Sequence, residues 1–195
     1  MLRGKKIEKL LEGIDAFCAA NGIESMRLPF IPNVAPYCGR VLKEIVGQAE
    51  AKNVLEVGTA VGYSALWLAS GLKGKGKIFS IEADRQMIAK AREFIEMADA
   101  IELVEIIEGN ALEEIPRLEK SNIVFDVVFL DAAKSEYLGY FKPSEPMLRR
   151  GGYLAAHNVF SFASALKPFV DYLHSLGNFE VKLIQKADLL VARKL

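Results

Sequence analysis

The chain has 195 residues, 51% of them apolar, which is enough to bury one substantial core and too few for two independent ones. Lys plus Arg and Asp plus Glu number 25 each, so no global basic field points to nucleic acid or to an anionic membrane as a partner. No apolar run reaches bilayer length, the first residues lack the ordered regions of a signal peptide, and Cys18 and Cys38 form neither a C-x-x-C pair nor a disulfide framework; a single cytoplasmic domain with both thiols in its core is expected.

In chain order, residues 1–50 read as a helical cap and residues 51–195 as an α/β core. Ile7, Leu10, Leu11, Ile14 and Phe17 share one helical stripe that stops near Asn21-Gly22. Arg3, Lys5, Lys6 and Lys9 make its first turns basic, as on a solvated face. Pro29, Pro32 and Pro36 punctuate the following loop, and Val41, Leu42, Ile45 and Val46 mark a second helix. From Asn53 onward, β-branched runs alternate with helical patterns, an arrangement that requires crossover helices and a parallel sheet. Strands are expected over 53–57, 77–82, 103–107, 125–130 and 153–156, and helices over 63–70, 85–97, 111–118 and 136–148. After a last helix over 169–176, strand patterns over 179–184 and 189–192 stand too close for a parallel crossover and predict an antiparallel hairpin.

The stretch VLEVGTAVGYS, residues 54–64, carries the most chemistry. An apolar strand runs into an acid-x-Gly turn and a second glycine, the way a parallel sheet offers backbone N–H groups to a ligand. A dinucleotide fingerprint needs three glycines, and only Gly58 and Gly62 are present. Without the inner glycine a pyrophosphate is disfavoured on the turn, whereas a methionine moiety still fits, so the expected ligand is S-adenosylmethionine. Glu82, 24 residues beyond Gly58 at the end of the second strand, is placed to accept both ribose hydroxyls. Asp84 reads as the N-cap of the next helix. Glu56, on the first strand, is costly to bury unless it meets backbone N–H groups or the ligand's ammonium. The GLKGKGK of residues 71–77 imitates a phosphate-binding loop, but Ile78 replaces its Ser or Thr and the segment runs into a strand, so it reads as a turn. Trp67 reads as core and His174 as a surface helix residue.

The fourth strand ends FDVVFLDAAKSEY and the fifth GYLAAHNVF. Asp131 and, one turn later, Lys134 therefore stand at the carboxyl edge of the sheet, where such folds bind ligands. His157 and Asn158 arrive at the same edge, either to hold a divalent cation with Asp131 or to satisfy loop backbone groups. The Asn/Asp-Pro-Pro-aromatic motif of amino-methyltransferases is absent here.

Taken together, LEVGTAVGYSALWLA, IFSIEAD, FDVVFLDAAKSEY and GGYLAAHNV resemble, in order and spacing, the cation-dependent O-methyltransferases typified by the caffeoyl-CoA and catechol enzymes. The resemblance implies a Rossmann-like class I methyltransferase sheet, five parallel strands plus a C-terminal antiparallel hairpin, under the N-terminal helical cap. It implies a donor site of Glu56, Gly58, Thr59, Gly62, Ser64, Glu82, Ala83, Gly109, Asn110, Ala111 and Asp131, with 109–111 beside the adenine. It further implies Lys134 as the catalytic lysine with Asp131, a metal at Asp131, His157 and Asn158, a small hydroxylated acceptor, and a homodimer built partly through the N-terminal helices. The family normally has Asp-Asn where this chain has His157-Asn158, and an imidazole in place of a carboxylate shifts the expected preference from Mg²⁺ toward a transition metal such as Mn²⁺. The expected activity is methylation of one of two vicinal hydroxyls on an aromatic ring. The alternatives are methylation of a hydroxylated nucleoside in tRNA and a donor-binding protein without catalysis.

Overall fold

A computed structural model describes residues 2–20, 34–74 and 76–195; the expected stop at Asn21-Gly22, Pro29 and Pro32 lie outside the described residues. The cap consists of α1 (Leu2–Ala20) and α2 (Pro36–Gln48). Proline at the first position of α2 costs nothing, because its missing N–H would have had no helical partner. Cys38, Val41, Leu42, Ile45 and Val46 then recur at helical spacing and are all buried. On α1, Ile7 and Leu11 are fully buried, but Phe17 at the end of the expected stripe is 63% exposed and Cys18 only half-buried. Side-chain bonds from Tyr63 to Asp15 and from Lys43 to Glu8 fasten α1 to the elements beneath it.

The core runs β1 (Asn53–Val57), α3 (Tyr63–Gly71), β2 (Lys77–Glu82), α4 (Arg85–Met97), β3 (Val104–Glu108), α5 (Ala111–Glu119), β4 (Phe125–Leu130), α6 (Tyr137–Ser144), β5 (Leu148–His157), α7 (Ala163–Ser175), β6 (Phe179–Ile184) and β7 (Leu189–Lys194). The sheet order is β3-β2-β1-β4-β5-β7-β6. The first five strands are parallel and the β6–β7 hairpin is antiparallel, as the short connection predicted. Strand order reverses between β1 and β4, and such a switch point opens a crevice at the carboxyl ends of the strands.

Each face of the sheet carries its own core. Helices α1 to α4 cover one, with Leu66, Trp67, Val54 and Phe129 at its centre. Helices α5 to α7 cover the other, where Tyr137, Phe141 and Phe169 make edge-to-face contacts at 5.6 to 5.8 Å. Trp67 is core, as expected, and lies so close to Gly39 that a Cβ there would come within 2.3 Å of the indole. Asp84 caps α4 by accepting from the Gln86 and Met87 N–H groups. No helix among the described residues is long and apolar enough to cross a membrane.

Several boundaries differ from expectation. Strand β3 is shifted by one residue, to Val104–Glu108. A single 3₁₀ turn, Lys134–Glu136, precedes α6, which ends at Ser144, and Leu148 already belongs to β5. That strand runs through Gly151-Gly152, which lie in an irregularity of the ladder: β5 pairs with β4 at Leu148 and again from Tyr153, and with β7 from Tyr153 onward. Helix α7 starts six residues before the expected 169, because Pro168 lies inside the helix rather than ahead of it.

Candidate functional site

Register brings the site together. Val57 pairs with Ile81 and Leu130, and Leu130 with Ala156, so these four residues form one row across β2, β1, β4 and β5. The next residue on each strand is Glu82, Gly58, Asp131 and His157, which therefore line the carboxyl edge side by side. Gly58 has φ +99°, and a Cβ there would come 2.4 Å from the Asp131 carbonyl oxygen. Its glycine is required by the crossing of the β1 turn over β4.

Gly58, Glu82, Ala83, Gly109, Asn110, Ala111 and Asp131 line a cleft of about 360 Å³, with Ala60, Glu136 and Tyr140 also in its wall. Glu82 is fixed in this cleft by backbone donors: Oε2 accepts from Ala60 N–H at 2.8 Å, and Oε1 from Ala83 at 2.9 Å and Asp84 at 3.0 Å. Asn110 caps α5 by accepting from Leu112 N–H at 2.9 Å, so the helix N-terminus stands at the cleft wall. Tyr140 donates to Glu136 at 2.5 Å. Gly62, at φ +84°, begins α3 behind the turn.

Glu56, Thr59 and Ser64 are buried behind Gly58. The Thr59 hydroxyl meets that of Ser80, which bonds Glu56. The second Glu56 oxygen has no hydrogen-bond partner, although the nearby Ser64 hydroxyl stabilises the charge. Complete burial pushes the Glu56 carboxyl up to about 8, against the pull of Ser64 and Ser80 and with the help of the Asp131 and Glu82 charges. Burial therefore favours the protonated form of Glu56.

The other end of the edge is built from charges. Asp131 Oδ1 accepts from Lys134 Nζ at 2.8 Å, and Oδ2 lies 3.1 Å from His157 Nδ1. Burial pushes the Asp131 carboxyl up, but His157 and Lys134 outweigh it and leave the group below the usual carboxylate range. An ionised carboxylate only accepts, so His157 donates through Nδ1. Tyr137 spans the ends of β4 and β5, its hydroxyl within 3.0 Å of the Leu130 carbonyl and 3.2 Å of the His157 carbonyl. Lys134 Nζ lies 5.3 Å from the Tyr137 ring centroid. Asn158, at φ +63°, turns its amide to Asp188 at 3.2 Å. Asp188 also caps the loop through the Phe160 and Ser161 N–H groups at 2.7 and 3.2 Å.

Tyr137, Asp188, Tyr140 and Ala60 were not singled out in the sequence. Tyr137 had a signal, since a tyrosine three residues after Lys134 lies on the same side of the turn; Asp188 had none, being placed by the pairing of His157 with Leu189 across β5 and β7.

The expected ligands Asp131, His157 and Asn158 do not fit a divalent cation in this arrangement. One carboxylate faces one ammonium, so the cluster offers no net negative charge. Both Asp131 oxygens are engaged, the facing imidazole nitrogen carries a proton, and Asn158, whose NH₂ donates to Asp188, offers a neutral amide oxygen only. Among the described residues, no group of three or more His, Cys, Asp or Glu is arranged to hold a metal.

The sequence model of a family described as O-methyltransferase matches residues 11–178. The chain is 32% identical to a catechol O-methyltransferase of Mycobacterium tuberculosis over 78% of its own length and 69% of that protein. It is 35% identical to one from Niastella koreensis, over 74% and 66%, and 31% identical to caffeoyl-CoA O-methyltransferase 1 of Arabidopsis thaliana, over 67% and 51%. The chain thus spans from half to about two thirds of the length of these curated relatives. Among solved structures, an O-methyltransferase from Bacillus cereus in complex with SAH superposes with a TM-score of 0.77 at 25% identity, covering 94% of this chain and 90% of that one.

Proposed function

Since the chain belongs to this O-methyltransferase family, we propose that it transfers the methyl group of S-adenosylmethionine to a hydroxyl of a small aromatic acceptor. The observation that carries this reading is the shared row: a cleft with a fixed ribose-binding carboxylate, Glu82, borders an ammonium, Lys134, across Asp131. Glu82 takes the ribose hydroxyls, the wall at 109–111 takes the adenine, and Glu56 and Ser64 stand behind the turn where the methionine end would rest. The expected N-terminal pairing into a homodimer belongs to the same reading and rests on the family resemblance alone.

The acceptor oxygen attacks the methyl carbon as the carbon–sulfur bond breaks, its electron pair staying on sulfur. The products are the methyl ether and S-adenosylhomocysteine. Such an in-line displacement is chiefly a matter of holding an ionised oxygen at near-attack distance. Lys134 stabilises that oxygen through a charge-assisted hydrogen bond, while Asp131 and the Tyr137 ring fix its ammonium.

Calorimetry with S-adenosylhomocysteine, followed by labelled-methyl transfer to catechols, phenylpropanoid thioesters and hydroxylated tRNA, tests the reading. Stoichiometric binding and transfer to the small phenols are expected. Absence of binding overturns the donor assignment, transfer to tRNA alone favours the nucleoside reading, and binding without transfer favours the non-catalytic one.

A further inference from the structure

The charges at the ends of β4 and β5 lead beyond the family's usual chemistry. Resting on methyl transfer for its reaction but not for its ligand chemistry, we infer that this chain works without a divalent cation. The Lys134 ammonium and the His157 imidazole take the electrostatic place of the ion, and the acceptor is a lone phenolic hydroxyl rather than an obligatory vicinal pair.

Among the described residues, the acids along this edge already hold partners. Asp131 holds Lys134 and His157, and its carboxylate is only 10% exposed. Asp188 holds Asn158 and two loop N–H groups. Glu82 accepts three backbone N–H groups, and Glu136 accepts from Tyr140. A hard cation such as Mg²⁺ needs several oxygen donors with matching charge. To reach the Asp131 oxygens it would have to displace both the Lys134 ammonium and the His157 Nδ1–H from them.

Substrate class follows from the missing charge. A bound cation favours vicinal hydroxyls because both oxygens chelate it and become more acidic together. With an ammonium instead, only the reacting oxygen is neutralised, and a second hydroxyl adds nothing. The phenol reacts as its phenolate, its proton having gone to solvent. The oxygen–carbon bond forms as the carbon–sulfur bond breaks, and the phenolate and sulfonium charges cancel in a neutral ether and thioether.

The test is titration of the whole protein with MnCl₂ and with MgCl₂ in the presence of S-adenosylhomocysteine, read by calorimetry. No stoichiometric ion binding is expected in the native chain, and His157→Asp, which restores a second carboxylate, should gain a Mn²⁺ site. A stoichiometric native Mn²⁺ site that is lost in Asp131→Asn overturns the inference, whatever the His157 variant does. Methyl transfer to a monohydroxylated phenol should change by less than about twofold in EDTA; loss in EDTA with recovery in Mn²⁺, or turnover of catechols alone, also overturns it. The heat of S-adenosylhomocysteine binding separates the two readings: its absence sinks the methyl-transfer reading, while the ion titration still decides the cation.

Discussion

The two halves of the carboxyl edge are held in place by different forces. At the ends of β1 and β2 the organising groups are backbone: Gly58 lets one strand end pass over another, and Glu82 is aimed by three N–H groups. At the ends of β4 and β5 they are charged side chains, with Asp131 shared between Lys134 and His157. A backbone-built site tolerates changes in side chains that leave the turn intact. A charge-built site can change its chemistry with one residue, and His157 is such a residue.

The largest expected effect sharpens this contrast. Lys134→Met removes the ammonium and leaves the backbone-built half untouched, so turnover should fall by about 10² or more with S-adenosylhomocysteine affinity nearly unchanged. Steady-state kinetics paired with calorimetry would measure both. A comparable loss of donor affinity would show that the two halves are not separable.

Next in size is Glu82→Ala, which leaves the Ala60, Ala83 and Asp84 N–H groups to solvent and removes the ribose acceptor. Donor affinity should weaken by roughly tenfold or more, the scale of a charged hydrogen bond. Affinity that stays at the native value in the folded variant would remove Glu82 from the donor site.

The same contrast governs how much could be read from the chain. Backbone devices leave local marks: two glycines at a fixed spacing, an acid closing the second strand, Asp84 opening a helix, and a connection too short for a crossover. Each was visible before the fold was. Longer-range settlements were not. Strand β5 continues past Gly151-Gly152, which have no partner in either ladder, because pairing with both β4 and β7 takes hold at Tyr153, and α7 carries Pro168 internally because Leu166, Phe169 and Leu173 bury its face. Asp188 lies 30 residues from Asn158 in sequence, and only the hairpin brings them together. Phe17 fits the helical period yet meets solvent, since periodicity gives a face but not what covers it. His157 was visible as a departure from the family pattern, but its Nδ1 bond to Asp131, which decides whether a cation fits, requires the register of β4 and β5.

The smallest expected effect probes Glu56, the buried carboxyl behind the backbone-built side. Its carboxyl stands near 8 in the fold against about 4.3 in an unfolded chain. A raised acid favours the fold below the unfolded value and loses that advantage as pH rises through the folded one. Between the two, the unfolded chain sheds its proton while the fold retains it, so stability falls by up to about 1.4 kcal/mol per pH unit. Glu56→Gln keeps the shape, can still bond Ser80 and has no proton to shed. Thermal unfolding without donor should therefore show a gain at pH 8 of at least about 3 °C, shrinking toward zero at pH 5. Donor affinity should move the other way, because the ammonium of the methionine end loses the carboxylate that would ionise to meet it. Equal melting shifts at both pH values would show that Glu56 carries no displaced proton, and unchanged donor affinity would confine it to the interior of the sheet.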